Sequence, residues 1–183
     1  MKFDKYERFG DYHWRLYAEK KDPYAFHADK VSEWIGPGKT LDVGAGDGLI
    51  TSLISGAIGI DDNKTAIDLA RRHGVDVRFV SVYSLGCPFF NYFDNVLMAD
   101  VIEHLNSVEA ALRRVKGVLK HNGNLFIVTP PALSSGKVFD PYHVKEYSPG
   151  ELVSVVKKEG FELIGSIEIK NSWNRMYAKF KLT

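Results

Sequence analysis

One stretch of the sequence, residues 41–50, constrains the fold more than any other. An apolar segment ends there in three alternating glycines, Gly44, Gly46 and Gly48, with the carboxylate of Asp42 in front of them. Because glycine has no Cβ atom, the backbone can turn sharply and a ligand can lie directly against it. The apolar segment predicts a buried strand, and the residues after Gly48 predict a helix whose free N–H groups face the ligand. The stretch therefore predicts a loop that binds a nucleoside.

The spacing of the glycines excludes two common nucleotide-binding loops. A G-x-G-x-x-G loop for a dinucleotide requires a glycine where this chain has Leu49, and no G-x-x-x-x-G-K-[ST] loop for a triphosphate is present. A second carboxylate, Asp61, ends the next apolar run, nineteen residues after Asp42. A carboxylate there can accept hydrogen bonds from both hydroxyls of a ribose and repels a 2′-phosphate. Asp61 therefore argues against a glycine-rich turn that binds nothing.

Length and composition predict a single domain over residues 1–183. Of the 183 residues 45% are hydrophobic, which suffices for one sizeable core. The 24 basic and 23 acidic residues leave almost no net charge, so we expect neither nucleic acid nor a membrane as partner. No apolar run is long enough to cross a bilayer, and the charged N-terminus has no signal-peptide pattern. We expect a cytoplasmic protein; the sequence leaves its oligomeric state open.

Strands and helices alternate along the chain, which is typical of an α/β fold. The patterns predict strands over residues 40–45, 57–61, 77–82, 93–99 and 123–129, helices over 24–34, 63–72 and 107–119, and a sixth strand beginning at Phe161. Ser148, Pro149 and Glu151 predict the start of a further helix, with a serine N-cap and a glutamate at the capping-box position. Residues 175–182 alternate with period two, which predicts an antiparallel strand with one polar face.

The glycine loop and Asp61 resemble the first two motifs of the class I S-adenosylmethionine-dependent methyltransferases. Residues 100–105 resemble the "EHL" motif of the ubiquinone-biosynthesis-like (type 11/23) subgroup, and residues 140–149 resemble a histidine-containing segment of the same subgroup. The resemblance covers residues 39 to 165. It implies a Rossmann-like fold with a seven-stranded, mostly parallel sheet, helices on both faces, and an antiparallel last strand beside the fifth.

The resemblance also implies the cofactor S-adenosylmethionine, which becomes S-adenosylhomocysteine after transfer. The methionine part is expected at the glycine loop, the ribose at Asp61, and the adenine beside residues 81 and 82. The cofactor-binding residues that the resemblance implies are Asp42, Gly44, Ala45, Gly46, Asp61, Asp62, Ser81, Val82 and Ala99. The family often has an aspartate where Ser81 stands, and a serine oxygen accepts the hydrogen bond of the adenine amine more weakly.

Two histidines are candidates for a catalytic base. The sulfonium of the cofactor activates the methyl group, so the protein must mainly hold the acceptor in line and exclude water. A hydroxyl acceptor also needs a base, and His104 and His143 suit that role because histidine titrates near neutral pH. The alternative is that both histidines only hold loops in place.

An aromatic segment near the N-terminus is a candidate cover for the acceptor. We expect residues 1–36 to form an N-terminal cap of the active site, with Tyr12, His13 and Trp14 lining it and Tyr12 and His13 taking part in catalysis. The alternative is that these rings pack on the domain surface.

The histidine motifs also contain oxygen and nitrogen ligands suited to a metal ion: Asp100, Glu103, His104 and His143. If Asp100 begins a helical turn, Glu103 and His104 share its face. The set resembles that of the small-RNA 2′-O-methyltransferases of the Hen type, but Asp100 replaces a glutamate and no basic approach for RNA is evident. We expect no metal, because the same motifs occur in metal-free relatives.

The sequence as a whole predicts transfer of a methyl group from S-adenosylmethionine to an oxygen or nitrogen of a small-molecule or glycan-type acceptor. Three alternatives stay open. They are a metal-assisted RNA 2′-O-methyltransferase of the Hen type, a module that binds S-adenosylmethionine without turnover, and an aminopropyltransferase. The last should have a D-x-x-D pattern, which Asp100 and Glu103 match only loosely.

Overall fold

The computed structural model describes residues 4–21, 23–133, 138, 140–169 and 174–183, so residues 1–3 and 22 of the predicted cap lie outside the described residues. Three helices precede the first strand: α1 (Lys5–Phe9), α2 (Tyr12–Ala18) and α3 (Tyr24–Trp34). The other elements are β1 (Thr40–Val43), α4 (Leu49–Leu53), β2 (Ile58–Asp61), α5 (Lys64–Arg72), β3 (Val77–Phe79), β4 (Phe93–Ala99), α6 (Val108–Val118), β5 (Leu119–Thr129), α7 (Pro149–Lys158), β6 (Phe161–Ile169) and β7 (Arg175–Leu182). Two 3₁₀ turns, at Val82–Ser84 and Ile102–His104, follow β3 and β4.

The seven strands form one sheet in the order β3-β2-β1-β4-β5-β7-β6. Strands β1 to β5 pair in parallel, and β7 is antiparallel to both β5 and β6. The predicted mostly parallel sheet with an antiparallel last strand beside the fifth is confirmed. The strand order reverses between β1 and β4, and open α/β sheets bind ligands at the carboxyl ends of the strands at such a point.

Apolar side chains pack on both faces of the sheet. Leu125 and Ile127 of β5 belong to one core, together with Leu112 of α6 and Val156 of α7. Phe126 lies between them in sequence and belongs to a second core with the apolar side of α3. Because consecutive residues of a strand face opposite sides, this run of apolar residues confirms helices on both faces. Among the described residues, no helix is long and apolar enough to cross a membrane.

Two predicted helix starts are confirmed by hydrogen bonds. Asn63 Oδ1 accepts from the Ala66 N–H of α5 at 3.0 Å. At α7, Ser148 Oγ accepts from the Glu151 N–H at 3.3 Å, and the Glu151 carboxylate accepts from the Ser148 N–H at 2.9 Å. Since the first N–H groups of a helix have no partner within the helix, these side chains stabilise the first turns.

Two predicted element boundaries are wrong. The fifth strand was expected to begin at residue 123, but β5 begins at Leu119, directly after the end of α6 at Val118, and Leu119 pairs with Phe93 of β4. Strand β3 ends at Phe79 instead of residue 82, because the chain turns there into a 3₁₀ helix. Pairing with a neighbouring strand decided the first boundary, and the end of pairing with β2 decided the second.

The predicted polar face of β7 is also wrong near the start of the strand. Tyr177 is 2% exposed, and its ring lies 5.6 Å from that of Trp34 in α3, measured between centroids. Its hydroxyl lies 3.1 Å from Nδ1 of His27 in the same helix. The strand is therefore covered on both faces near its start, because α3 packs across the face that the alternation assigned to solvent.

Candidate active site

Two cavities adjoin at the carboxyl ends of the parallel strands. The first, of about 760 Å³, lies beside Asp61 and Asp62, and we call it the aspartate cavity. The second, of about 880 Å³, is bounded partly by α1, α2 and α3, and we call it the aromatic cavity, because its wall contains Tyr6, Phe9, Tyr12 and Tyr24. Five residues line both cavities: Tyr6, Gly44, Asp100, His104 and His143. The two cavities therefore share a wall.

The glycine loop is held against the end of β2. The N–H groups of Gly44 and Ala45 both donate to the Ile60 carbonyl, at 2.8 and 3.0 Å. Gly44 and Gly46 have φ angles of +70° and +57°, which favour glycine. A Cβ atom at Gly46 would also overlap the Tyr6 hydroxyl of α1. The loop therefore needs glycine both for its turn and for the close approach of the N-terminal helix.

Asp61 connects the glycine loop to the start of α5. One carboxylate oxygen accepts from the Gly46 N–H at 2.8 Å and the other accepts from the Asn63 N–H at 2.7 Å. Burial raises the pKa of Asp61, and these hydrogen bonds act in the opposite direction. Each carboxylate oxygen has two lone pairs, so Asp61 can still accept from a ligand in the aspartate cavity.

Six of the nine predicted cofactor residues line a cavity: Gly44, Ala45, Asp61, Asp62, Val82 and Ala99. The other three, Asp42, Gly46 and Ser81, are not among the residues that line these two cavities. Asp42 is 2% exposed and accepts from the Thr51 hydroxyl at 2.6 Å, so it joins β1 to α4. Burial raises the pKa of Asp42 to about 7. Since β3 ends early, Phe79 and Val80 line the aspartate cavity beside the position of Ser81.

The two candidate histidines lie side by side, with ring centroids 4.9 Å apart. His104 Nδ1 is 3.0 Å from the Tyr142 carbonyl oxygen, and His143 Nδ1 is 2.7 Å from Glu146 Oε1. A carbonyl or a carboxylate can only accept here, so we assign the proton of each ring to Nδ1 and the lone pair to Nε2. Burial lowers the pKa of His104, which favours its neutral form.

Glu146 is a site residue that the sequence prediction missed. The side chains of His143 and Glu146 are only 9% and 3% exposed. A carboxylate bonded to one nitrogen of an imidazole orients the ring and stabilises its protonated form, as in other histidine bases. A glutamate three residues after a candidate histidine was the available sequence signal, but the loop has no periodicity to show that the two side chains meet.

The predicted metal ligands come together only in part. The ligand atoms of Glu103, His104 and His143 all lie within 4.8 Å of one another. Glu103 is 1% exposed and accepts from the Thr129 hydroxyl at 2.9 Å. Burial raises the pKa of Glu103, which favours its neutral form. The three residues offer the mixed oxygen and nitrogen donors that divalent transition metals bind.

Asp100, the fourth predicted metal ligand, pairs with other groups. Its carboxylate lies 2.7 Å from Arg175 Nε and 3.5 Å from His27 Nε2. It adopts a φ angle of +53°, so the turn after β4 begins differently from the expected helical turn. The 3₁₀ turn over Ile102–His104 still leaves Asp100, Glu103 and His104 in the wall of the aromatic cavity.

The aromatic segment of the predicted cap divides between the cavity and the surface. Tyr12 and His13 line the aromatic cavity, and His13 Nδ1 lies 3.2 Å from Asp47 Oδ1. The Trp14 ring stacks on His73 with centroids 4.0 Å apart, and its Nε1–H donates to the Asp47 carbonyl at 2.9 Å. Consecutive residues of α2 point in different directions, so the segment contacts both the cavity and α5.

Similarity to known proteins points to the methyltransferases. Residues 41–127 match the family described as "Methyltransferase domain". A ubiquinone biosynthesis O-methyltransferase of Pelagibacter ubique is 26% identical over 148 residues, which make up 68% of this chain and 62% of the relative. The chain thus spans less than two thirds of the length of that relative.

Solved structures share the fold. A structure described as a methyltransferase and possible histamine N-methyltransferase, from Thermotoga maritima, has a TM-score of 0.76 at 20% identity, covering 97% of this chain and 98% of that one. The [4+2]-cyclase SpnF has a TM-score of 0.75 at 17% identity, covering 88% and 82%. A cyclase with this fold shows that the fold alone does not determine the reaction.

The glycine loop with its paired Asp61, the seven-stranded sheet and the matched segment support a class I S-adenosylmethionine-dependent methyltransferase. S-adenosylmethionine, the predicted cofactor, is the cofactor of that class. Within the class, the Pelagibacter relative agrees with the resemblance to the ubiquinone-biosynthesis-like subgroup.

Proposed function

We propose that this protein transfers the methyl group of S-adenosylmethionine to an oxygen or nitrogen of a small-molecule or glycan-type acceptor. The proposal rests on the two adjoining cavities. One is lined by carboxylates suited to a ribose, the other by histidines and aromatic rings, and both are lined by Gly44, His104 and His143. A cofactor with its ribose in the first cavity and its methionine part in the second would hold its methyl group beside these shared residues.

The residues of the aspartate cavity fit an adenosine. Asp61 and Asp62 supply acceptors for ribose hydroxyls. Phe79, whose side chain is 65% exposed, offers an aromatic surface to a base. Gly44 and Ala99 place main-chain groups beside the aromatic cavity, where the methionine part would lie. When bound, the cofactor supplies a methyl group activated by its sulfonium.

His143 is the proposed catalytic base, and Glu146 is its positioning residue. Nε2 of His143 would take the proton that an acceptor hydroxyl loses as the methyl group arrives, or the proton that an acceptor ammonium must lose before its nitrogen has a lone pair for the attack. Glu146 holds the other ring proton on Nδ1 and stabilises the positive charge that the ring gains. The N-terminal cap, which contributes Tyr12 and His13 to the cavity wall, would keep water from the reacting atoms.

The aromatic cavity favours a small acceptor. A volume of about 880 Å³ is within the range of small-molecule sites, and part of it would be taken by the cofactor. The name of the Pelagibacter relative specifies oxygen as the acceptor atom, and that of the Thermotoga structure suggests nitrogen. Both atoms therefore stay within the proposal. The net charge of +1 gives no support for a polyanionic acceptor.

Calorimetric titration with S-adenosylhomocysteine tests the cofactor assignment. Asp61→Ala should weaken binding by about tenfold or more, because ribose hydroxyls lose a charged acceptor. Asp76→Ala, which removes a carboxylate that pairs with Arg78 at 2.9 Å, should leave binding unchanged. Wild-type protein that binds neither S-adenosylhomocysteine nor S-adenosylmethionine would contradict the proposal.

A screen of metabolite extracts with methyl-labelled S-adenosylmethionine tests the reaction and names the acceptor. A labelled product that forms with wild-type protein and not with His143→Gln would support the proposal. Tight cofactor binding without any labelled product or S-adenosylhomocysteine would instead favour a module that binds the cofactor without turnover.

Metal-assisted transfer is a second candidate, favoured by the cluster of Glu103, His104 and His143. A divalent ion there would bind the acceptor oxygen and lower its pKa, so no separate base would be needed. Elemental analysis and assays with a chelator separate the two candidates. Protein that contains no divalent ion and stays active in chelator would exclude the metal.

A further inference from the structure

The structure assigns a binding site for a primary ammonium group to Asp47 and the aromatic rings around it, in the wall of the aromatic cavity. The inference rests on the proposed function, because it identifies a charged group of the cofactor or of the acceptor that this wall would bind. We call Asp47, Tyr6, Tyr12, His13 and Tyr24 the ammonium site.

Asp47 has a carboxylate oxygen for which the described residues supply no hydrogen-bond partner. The residue is 1% exposed, yet it lines the aromatic cavity. Oδ1 lies 3.2 Å from His13 Nδ1. Within the part of the chain that the structure describes, Oδ2 has no hydrogen-bond partner. A buried carboxylate oxygen is costly when it lacks a donor, so its place in a cavity wall points to a cationic ligand that donates to it.

Aromatic rings surround this carboxylate. His13 stacks on Tyr24 with centroids 4.7 Å apart, lies 3.9 Å from the Tyr12 ring, and lies 5.8 Å from the Tyr6 ring. After burial, the charge of Asp47 is the largest cause of the raised pKa of all three tyrosines, which places their hydroxyls in its field. Aromatic faces attract ammonium groups, so rings and carboxylate together favour a cation over a neutral group.

The other cationic side chains of the cavity wall have acidic partners of their own. These pairs are Lys5 with Asp140 at 2.9 Å, Arg15 with Asp11 at 3.9 Å, and Arg175 with Asp100 at 2.7 Å. Their charges are therefore offset elsewhere, and the nearest basic group to the Asp47 carboxylate in the described structure is the imidazole of His13. A ligand ammonium would complete the hydrogen bonding of Oδ2.

Two sources can supply the ammonium group, and both present the same –NH₃⁺ chemistry. One is the amino group of the methionine part of the cofactor, since Gly44, Ala45 and Ala99 line the same cavity as Asp47. The other is an amine of the acceptor.

Four compounds serve as probes for the two sources. S-adenosylhomocysteine carries the amino group of the methionine part, and 5′-methylthioadenosine contains the same nucleoside without it. As probes for the second, 2-phenylethylamine carries an ammonium and 2-phenylethanol is its neutral counterpart.

Calorimetric titration of wild-type protein, Asp47→Asn and Asp68→Asn with these four compounds tests the inference. Asp68 is the matched control, an aspartate on α5 that pairs with Lys64 on the surface. If the cofactor is the source, Asp47→Asn should weaken S-adenosylhomocysteine by about tenfold or more and leave 5′-methylthioadenosine unchanged. If the acceptor is the source, the same variant should lose affinity for 2-phenylethylamine while S-adenosylhomocysteine binds as before. Asp68→Asn should match wild type throughout.

The inference is overturned if Asp47→Asn alters neither S-adenosylhomocysteine nor amine binding. Should Asp47→Asn not fold, as judged by thermal unfolding, the wild-type protein alone decides. A preference of about tenfold or more for 2-phenylethylamine over 2-phenylethanol, or for S-adenosylhomocysteine over its analogue with a hydroxyl in place of the amino group, then supports an ammonium site, and no preference in either pair overturns it. If the wild-type protein binds neither nucleoside, the proposed function fails, and the amine comparison still decides the ammonium site.

Discussion

At the scale of single residues, three of the buried carboxylates around the cleft are accommodated in two different ways. Asp42, Asp47 and Glu103 are all 2% exposed or less. Asp42 and Glu103 accept hydroxyl hydrogen bonds, and burial raises the pKa of both, so a neutral form relieves the cost of burial. Asp47 instead faces an imidazole and a cavity. We therefore expect Asp42 to matter mainly for stability, and Asp47 for binding.

His143→Gln tests the proposed base. The variant should lower kcat by roughly 10²- to 10⁴-fold, because glutamine cannot take the proton of the acceptor. S-adenosylhomocysteine affinity should change little, since proton transfer is not part of binding. Steady-state kinetics and calorimetry measure the two effects. The control is His121→Gln, which changes an exposed histidine of β5. A His143→Gln enzyme with full kcat would assign the histidine a structural role only.

Asp42→Asn tests the buried carboxylate under the glycine loop. The pKa of Asp42 is raised from 3.8 to about 7 in the folded state, so between those values the folded protein binds more protons than the unfolded chain. Wild-type stability therefore falls as pH rises through this window. Asparagine has no charge to bury, and its oxygen can still accept from Thr51.

Urea unfolding of wild type and Asp42→Asn at several pH values measures the effect. Near pH 4 the two should differ little, and the variant should gain about 1.4 kcal/mol over wild type for each pH unit up to pH 7. Above that the difference should stay constant. A difference that does not depend on pH would show that folding does not raise the pKa of Asp42.

At the scale of elements, the N-terminal helix α1 contacts both sides of the cleft. Glu7 accepts from the Thr65 hydroxyl of α5 at 3.2 Å, beside the aspartate cavity. Lys5 pairs with Asp140 at 2.9 Å, on the loop that carries His143. These contacts support the proposal that the N-terminal segment is a cap of the active site. A bound cofactor would be enclosed by α1, so the cap should affect its release.

Gly46→Ala tests the packing of α1 on the glycine loop, with Gly56→Ala as the matched control. Both glycines have positive φ, +57° and +72°, so alanine strains the backbone by roughly 1–2 kcal/mol at either position. A Cβ atom at Gly46 would overlap Tyr6, whereas one at Gly56 meets nothing within 4 Å. Gly46→Ala should therefore lose more stability in urea and also bind S-adenosylhomocysteine more weakly. Equal losses in the two variants would show that α1 moves away without cost.

At the scale of the whole molecule, the sheet order assembles the cleft from distant parts of the chain. Strand β1 leads into the glycine loop, β2 ends in Asp61, and β4 leads into the turn that carries His104. The loop before α7 adds His143, whose neighbour Val144 donates its N–H to the Glu103 carbonyl at 2.7 Å. Cofactor binding should therefore stabilise the domain as a whole.

Thermal unfolding with increasing S-adenosylhomocysteine tests this expectation. A ligand that binds only the folded state adds about 2.7 kcal/mol at a free concentration 100 times its Kd. Tm should rise steadily with concentration in wild type, and Asp61→Ala should need more ligand for the same rise. A Tm that does not change at saturation would show that the ligand does not bind the folded domain.

Sequence patterns were sufficient to predict features that depend on residues close together in the chain. The starts of α5 and α7 follow from Asn63 and Ser148, because helix capping involves residues three positions apart. Element ends set by neighbouring strands were not predictable in this way, as at Leu119. The same holds for side-chain pairs within loops, such as His143 with Glu146, because no periodicity relates them.

The sequence by itself determined the class of fold and the loop proposed to bind the cofactor, because glycine spacing and strand alternation act over a few residues. Only the tertiary structure decided how the parts of the site meet. In that structure Asp42 is buried, Phe79 and Val80 line the aspartate cavity whereas Ser81 does not, and rings from α1, α2 and α3 surround Asp47. The physical reason is that burial and charge pairing depend on residues far apart in the chain, which only the packed sheet and helices bring together.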